Sequence, residues 1–164
     1  WKSILDLDFK TIMRFWHSPK PTIAAVRGAC LAGAFELALA CDITIASKDS
    51  FFGEPELRFG AGIVTMILPW VTGVKAAKEI ILLGKDNIPA EEALRLGLVT
   101  RLTETSSLQK KAKEIALNLA EVDPNLMKDT KKAINQSYEL QGLLKSLQNS
   151  LDTVSYTHLR AHET

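Results

Sequence analysis

Two glutamates stand where the sequence predicts a reactive pocket. Glu36 follows a run of small residues at positions 29–33, and Glu56 follows Pro55 in a turn-rich stretch twenty positions after Glu36. This spacing leaves room for a helix, a returning strand at 43–46 and a loop that together bring both carboxyl groups to one pocket. Two carboxyl groups in a partly dry site repel each other, so we expect their pKa values to split. One then acts as an acid and the other as a base, in an order that the sequence leaves open.

A glycine at the predicted start of the helix adds a hydrogen-bond donor to this pocket. The backbone N–H groups of a first helical turn are free, so the N–H of Gly33 can stabilise negative charge that develops on a substrate oxygen. The alternative is that Gly33 only allows tight packing. Glu36 lies one turn further on, where an acid can simply stabilise the helix dipole, but its apolar neighbours favour a buried functional carboxyl. We expect Glu54, by contrast, to be a solvated loop acid.

Hydrophobic periodicity predicts the elements that position these residues. A proline-flanked segment at 18–21 separates an amphipathic first helix from a buried first strand, and the helix that carries Glu36 is apolar on nearly every side. The rest of the chain is predicted to be mainly helical, with one more short strand. The predicted helices are 1–17, 34–41, 74–83, 89–97, a helix from 106 or 107 to 122, and a helical segment from 123 to 151; the predicted strands are 22–26, 43–46 and 98–102, and residues 29–33 are predicted to form a loop.

Bulk composition excludes several classes of function. The 164 residues are 46% hydrophobic and 24% charged, as in ordinary globular proteins, and their net charge of +1 predicts no nucleic-acid partner and no membrane partner. No apolar run approaches the roughly 20 residues that span a bilayer. Cys30 and Cys41 have no companions with metal-ligand spacing, so we expect reduced thiols, no metal and a cytoplasmic protein.

The two ends of the sequence look unnatural. Trp1 is not an initiator methionine, and residues 153–164 lack a helical period and resemble translated sequencing-adaptor DNA. His158 and His162 are four residues apart in this stretch, and we expect no metal site there. The chain is therefore predicted to be a fragment with a non-native tail.

Three blocks of the sequence together resemble the crotonase superfamily, the enoyl-CoA hydratases and isomerases. They are KPTIAAVRGACLAGAFELALACDITIAS from Lys20, FFGEPELRFG from Phe51 and IPAEEALRLGLVTRL from Ile88. The resemblance covers residues 1–152. It implies an α/β fold built as a crotonase-like spiral of ββα units, truncated at the N-terminus and followed by C-terminal helices. The expected regions are a partial core at 1–103, a helical oligomerisation region at 104–152 and the tail at 153–164.

The resemblance also implies a reaction and assigns residues to it. Glu36 and Glu56 correspond to the two catalytic glutamates of the hydratases, and Gly33 and Ala32 to the oxyanion and substrate-binding position. The reaction is the addition of water to a trans-2-enoyl-CoA, with no cofactor because coenzyme A is part of the substrate. Relatives assemble as trimers or pairs of trimers. They carry about a hundred more residues before Trp1, which supply a second oxyanion donor, so we expect the fragment to be close to inactive.

Several alternatives stay open at this point. The intact protein could instead be a Δ3-Δ2 enoyl-CoA isomerase, another acyl-CoA lyase that uses the same enolate, or a non-catalytic acyl-CoA-binding protein. A Clp-type protease lacks support, because no Ser-His-Asp set is evident. The segment after Glu56 is shorter and more apolar than in many hydratases. Four of its residues could line an acyl pocket but are more often core: Met66, Ile67, Leu68 and Trp70.

Overall fold

Six short strands form two three-stranded sheets in the computed structural model, which describes residues 2–161. The strands are β1 (Ile23–Val26), β2 (Ala29–Leu31), β3 (Ile43–Ser47), β4 (Phe51–Gly53), β5 (Ile88–Pro89) and β6 (Arg101–Thr103). One sheet has the order β1-β3-β6 and is parallel throughout. The other has the order β2-β4-β5, with β2 parallel to β4 and β5 antiparallel to β4.

The first four strands alternate between the two sheets along the chain. β1 is followed by β2 in the other sheet, and the next pair, β3 and β4, stacks on them in the same order. Ile23 pairs with Ile43 in the first sheet, and Ala29 pairs with Phe51 in the second. Each turn of the chain therefore adds one strand to each sheet, which confirms the predicted spiral of ββα units.

Eight α-helices surround and connect the two sheets within residues 2–161. They are α1 (Lys2–Trp16), α2 (Gly33–Ala40), α3 (Leu68–Thr72), α4 (Val74–Leu82), α5 (Ala90–Arg95), α6 (Leu108–Ala120), α7 (Pro124–Glu139) and α8 (Leu143–Ala161). Short 3₁₀ helices lie at Glu56–Phe59 and Thr105–Ser107. Most predicted helices and strands are confirmed to within a few residues, whereas α3, β2, β4 and β5 were not predicted. Trp1, placed in the first predicted helix, lies outside the described residues.

The predicted loop of small residues is wrong at three positions. Residues 29–31 form β2, and the Ala32 N–H extends the pairing by donating to the Gly53 carbonyl oxygen at 3.0 Å. A strand of only three residues is too short to show a periodicity of its own, so its partner β4 determines its conformation. The stretch that was predicted as turn-rich supplies that partner.

The C-terminal part of the chain also differs from the prediction. The single helical segment expected from residue 123 to 151 is broken at Gly142, whose φ of 102° is accessible mainly to glycine. α8 then continues to Ala161, so the expected lack of helix after residue 152 is wrong. Val154 is buried against Leu5 and Leu151. Of the histidine pair considered above, His162 lies outside the described residues, and so does the side chain of His158.

The main core lies between the two sheets and α2. Phe35 on α2 and Phe52 on β4 are fully buried there, with ring centroids 5.6 Å apart. β1 is covered on both sides, because Ala24 contacts this core while Ile23 packs in a second cluster under α6, but only Val26 is fully buried and its other residues are partly buried. Burial on both faces is typical of parallel strands.

Two further findings concern the chain as a whole. No helix among residues 2–161 has the length and apolar character needed to cross a membrane. Both cysteines are free thiols, with Cys30 buried and Cys41 partly buried.

Candidate active site

The start of α2 forms one side of the candidate site. Ala32, the residue before the helix, has a φ of 56° and a ψ of −135°, and no other described non-glycine residue has a positive φ. Its N–H is bonded to Gly53, and its carbonyl oxygen accepts hydrogen bonds from the N–H groups of Phe35 and Glu36. Strain of this kind in a non-glycine residue is retained where the surrounding structure fixes it, often at a functional site.

Gly33, the first residue of α2, offers an accessible backbone donor. The residue is exposed, and its N–H donates to no acceptor within the part of the chain that the structure describes. A Cβ added at Gly33 would meet no atom within 4 Å, so packing among the described residues does not require a glycine at this position. The free N–H at a helix start is suited to bind developing negative charge.

Glu36 is buried one turn into α2, with a relative exposure of 2%. Its carboxylate accepts hydrogen bonds from the backbone N–H groups of Val64 at 3.1 Å and Thr65 at 2.8 Å. Burial raises the pKa of Glu36 to about 7; the Thr65 N–H opposes this rise and the charge of Glu56 adds to it. One carboxyl of the predicted pair therefore exchanges its proton near neutral pH.

Glu56 meets Glu36 from the other side of the site. It opens the 3₁₀ helix after Pro55 and is partly buried, and its Oε2 atom has no hydrogen-bond partner among the described residues. One carboxylate oxygen of Glu56 lies within 4.8 Å of an oxygen of Glu36. The prediction that the helix, strand and loop bring these two carboxyl groups together is confirmed.

Glu54 is not the solvated loop acid that the sequence predicted. Its relative exposure is 0%, and neither carboxylate oxygen has a hydrogen-bond partner among residues 2–154, whose side chains the structure describes. β4 places it in the core, where its N–H donates to the Lys85 carbonyl oxygen at 2.8 Å. One of its oxygens lies within 4.8 Å of oxygens of Glu36 and Glu56, so the site contains three carboxyl groups.

These three glutamates are the one group of three or more potential metal ligands found among the side chains described, those of residues 2–154. Two backbone N–H groups already hold the Glu36 carboxylate, and no histidine or aspartate of residues 2–154 joins the group. The prediction that the reaction uses no metal stays a prediction.

A cavity of about 450 Å³ lies on another side of α2. Ile67 and Trp70 line it together with residues of α7, but none of the three glutamates does. Ile67 and Leu68 are only 1% exposed, which supports their interpretation as core residues. The cavity is therefore separate from the carboxyl groups.

Comparison with known proteins identifies the family. Residues 5–163 match the family described as "Enoyl-CoA hydratase/isomerase". The chain belongs to the enoyl-CoA hydratase/isomerase family. This membership confirms the resemblance to the crotonase superfamily that the three sequence blocks indicated.

Individual family members match over much of this chain but only part of their own length. The short-chain-enoyl-CoA hydratase of Clostridium acetobutylicum is 43% identical over 135 residues, which are 79% of this chain and 51% of that protein. A putative enoyl-CoA hydratase of Thermus thermophilus is 37% identical over 130 residues, 76% of this chain and 51% of that protein. The chain thus spans about half the length of the curated relatives it matches.

Solved structures of family members share the fold. A crystal structure of an enoyl-CoA hydratase/isomerase from Xanthobacter autotrophicus Py2 has a TM-score of 0.95 and 56% identity, covering 96% of this chain and 58% of that one. A probable enoyl-CoA hydratase from Mycobacterium smegmatis has a TM-score of 0.89 and 33% identity, covering 94% of this chain and 64% of that one. The mixed α/β architecture of this chain is therefore the crotonase fold.

Sequence reasoning missed two features of this family member's site. The first is the burial of Glu54. The glycine before it and the proline after it led to the prediction of an exposed turn. The second is the pair of hydrogen bonds that the backbone N–H groups of Val64 and Thr65 donate to Glu36. Side-chain types do not predict hydrogen bonds made by the backbone. A pair of acids two positions apart in one of the matching blocks was the one available clue to the first.

Proposed function

We propose that the full-length protein containing this chain is an enoyl-CoA hydratase that adds water to the double bond of a trans-2-enoyl-CoA. The observation that carries the proposal is the close approach of the Glu36 and Glu56 carboxyl groups beside the start of α2. Family membership supports the acyl-CoA class of substrate.

The proposed mechanism needs a donor at the thioester oxygen. When the water oxygen bonds to C3 of the substrate, the C2–C3 π electrons shift and negative charge develops on the thioester oxygen as an enolate. The free N–H of Gly33 would donate to that oxygen, and the positive end of the α2 dipole would add to the stabilisation. We assign Ala32 a positioning role, because its own N–H is bonded to Gly53.

The two glutamates would move the protons. One carboxylate takes a proton from the attacking water, and the other carboxyl group gives a proton to C2 as the enolate collapses, so that the product is a 3-hydroxyacyl-CoA. A pKa of about 7 lets Glu36 either release or accept a proton at neutral pH. The assignment of acid and base between Glu36 and Glu56 is left open.

An isomerase would use the same enolate but needs only one carboxyl group to move a proton between carbons. We therefore test the proposal with crotonyl-CoA and with a trans-3-enoyl-CoA, each incubated with the full-length gene product and analysed by mass spectrometry. A hydratase converts crotonyl-CoA to a product heavier by one water, and Glu36→Gln abolishes this conversion. An isomerase that works through Glu56 would shift the 3-enoyl double bond and would survive Glu36→Gln largely intact.

Other properties implied by the family stay part of the proposal. We propose a trimer or a pair of trimers for the full-length protein, a cytoplasmic location, a role in fatty acid metabolism such as β-oxidation, and turnover that a metal chelator does not affect. Because the chain spans about half of its relatives, we expect the 164 residues alone to turn over far more slowly than the full-length protein.

A further inference from the structure

A third carboxyl group lies in the site, and the proposed reaction gives it no role. Glu54 has no exposed surface, so the described residues already enclose its carboxyl group. Neither of its oxygens has a hydrogen-bond partner among the described side chains and backbone of residues 2–154. A buried carboxylate without donors is strongly disfavoured, whereas a protonated carboxyl group needs only one acceptor.

The charges in the site also require a proton on one of the three glutamates. None of the seven ion pairs found among the described residues includes Glu36, Glu54 or Glu56. Three ionised carboxylates with oxygens within 4.8 Å of one another would therefore repel without a compensating cation.

The hydrogen-bond partners indicate where that proton resides. Glu36 accepts from two backbone N–H groups, which favour its ionised form. Glu54 has no such donors. Glu56 Oε2 is also buried without a described donor, so one proton held between Glu54 and Glu56 would satisfy both groups.

We propose that Glu54 is a positioning residue that stays protonated at neutral pH and donates a hydrogen bond to the Glu56 carboxylate. This inference rests on the proposed function of the site. A neutral donor beside Glu56 favours its ionised form and fixes its orientation toward the substrate. In this arrangement the proton of Glu54 stabilises the structure of the site, and the carboxyl groups of Glu36 and Glu56 take part in the reaction.

The other groups that face Glu54 are consistent with this arrangement. Burial raises the pKa of Glu54 to about 11, and the charges of Glu56 and Glu36 add to the rise. Cys30 faces it from β2, and burial, followed by the charge of Glu54, raises the pKa of that thiol to about 12. Cys30 is therefore neutral and supplies no counter-charge.

Infrared spectroscopy tests the proton directly, without substrate. The full-length protein at pH 9, where Glu36 with its pKa of about 7 is ionised, is expected to show the C=O band of a protonated carboxylic acid, and Glu54→Gln should remove it. Glu121→Gln, at an exposed glutamate, is the matched control and should leave the band in place. Failure of Glu54→Gln to remove such a band would overturn the proposal, whether or not the protein hydrates crotonyl-CoA.

Kinetics then tests the role of the donated hydrogen bond. Glu54→Gln keeps a donor and is expected to lower kcat only a few-fold, whereas Glu54→Leu removes it and should lower kcat by about 10- to 100-fold with little change in KM. The acidic limb of the pH–rate profile should move to higher pH in Glu54→Leu alone.

Equal losses of kcat in Glu54→Gln and Glu54→Leu would contradict the proposal. If Glu54→Leu does not fold, the infrared experiment with Glu54→Gln still decides whether Glu54 is protonated. A wild-type protein that shows the infrared band but does not hydrate crotonyl-CoA would refute only the proposed function.

Discussion

Buried carboxyl groups make the stability of this fold depend on pH. Glu36 is 2% exposed, and burial raises its pKa from the ordinary 4.5 to about 7. The folded state therefore holds this proton more tightly than the unfolded chain does. The resulting stabilisation is fully present below pH 4.5 and is lost as the pH rises through about 7.

We predict that the free energy of unfolding of the full-length protein falls between pH 4.5 and 7, and that Glu36→Gln reduces this fall by an amount on the order of 3 kcal/mol. Chemical denaturation at several pH values measures it, with Glu121→Gln as the control. A Glu36→Gln variant whose stability follows pH as steeply as the wild type would show that Glu36 titrates normally in the folded state.

At the scale of residues, the sequence allowed the acid pair to be predicted but not its third member. The hydrophobic periodicity of the sequence predicted the order of helix, strand and loop between Glu36 and Glu56. The burial of Glu54 depends on Lys85, whose carbonyl oxygen binds the Glu54 N–H and which lies about thirty residues away in sequence. The amino-acid composition around Glu54 does not indicate a contact with a residue so far away in sequence.

At the scale of elements, the pairing of β2 with β4 holds the two sides of the site in register. The Ala32 N–H donates to the Gly53 carbonyl oxygen just before α2 begins, and Glu54 follows directly after β4. A displacement of β4 would thus change the start of α2 and the position of Glu54 together. β2 was not predicted because a segment of only three residues becomes a strand through this partner.

Gly53 gives a test of that coupling. A Cβ at this position would lie 2.1 Å from the Lys85 carbonyl oxygen and 2.5 Å from the Asp86 Cα, which are backbone atoms. We predict that Gly53→Ala destabilises the full-length protein by about 1–3 kcal/mol and lowers crotonyl-CoA hydration as well.

The matched control adds the same methyl group at Gly33, where it meets no atom within 4 Å. Thermal unfolding of Gly33→Ala should stay within about 0.5 kcal/mol of wild type. If Gly53→Ala proves equally harmless, β4 is not held against the Lys85 segment as the structure indicates.

At the scale of the whole molecule, a buried ion pair joins the C-terminal helices to the α/β core. Lys131 on α7 is 8% exposed, and its Nζ lies 2.7 Å from the Asp42 carboxylate. Lys131 also donates to the carbonyl oxygens of Phe15 and Lys20, and Asp42 accepts from the Thr22 N–H and hydroxyl. Three distant parts of the chain meet at one amine.

We predict that Lys131→Met destabilises the full-length protein by about 2–3 kcal/mol, because it leaves Asp42 without its cation. Lys132→Met at the exposed neighbouring position is the control and should change the free energy of unfolding by less than about 0.5 kcal/mol. Denaturant titration compares them, and equal stability of the two variants would mean that this ion pair does not hold α7 in place.

The sequence predicted the existence of these C-terminal helices but not their arrangement. Amphipathic patterns mark each helix, yet the Lys131–Asp42 pair joins residues 89 positions apart and has no local signature. The continuation of α8 to Ala161 was missed for a similar reason. Val154 is apolar within an irregular stretch, and only its contact with Leu5 shows that it belongs to the core.

The central claim is that Glu36 and Glu56 act together in hydration, and a double-mutant cycle on the full-length protein tests it most directly. The measurement is kcat/KM for crotonyl-CoA with Glu36→Gln, Glu56→Gln and the double variant. Residues that act as one unit lose nearly everything singly, so we predict losses of at least about 10³-fold in each single variant and no much greater loss in the double variant. If either single variant keeps activity within tenfold of wild type, the two glutamates do not form the proposed catalytic pair.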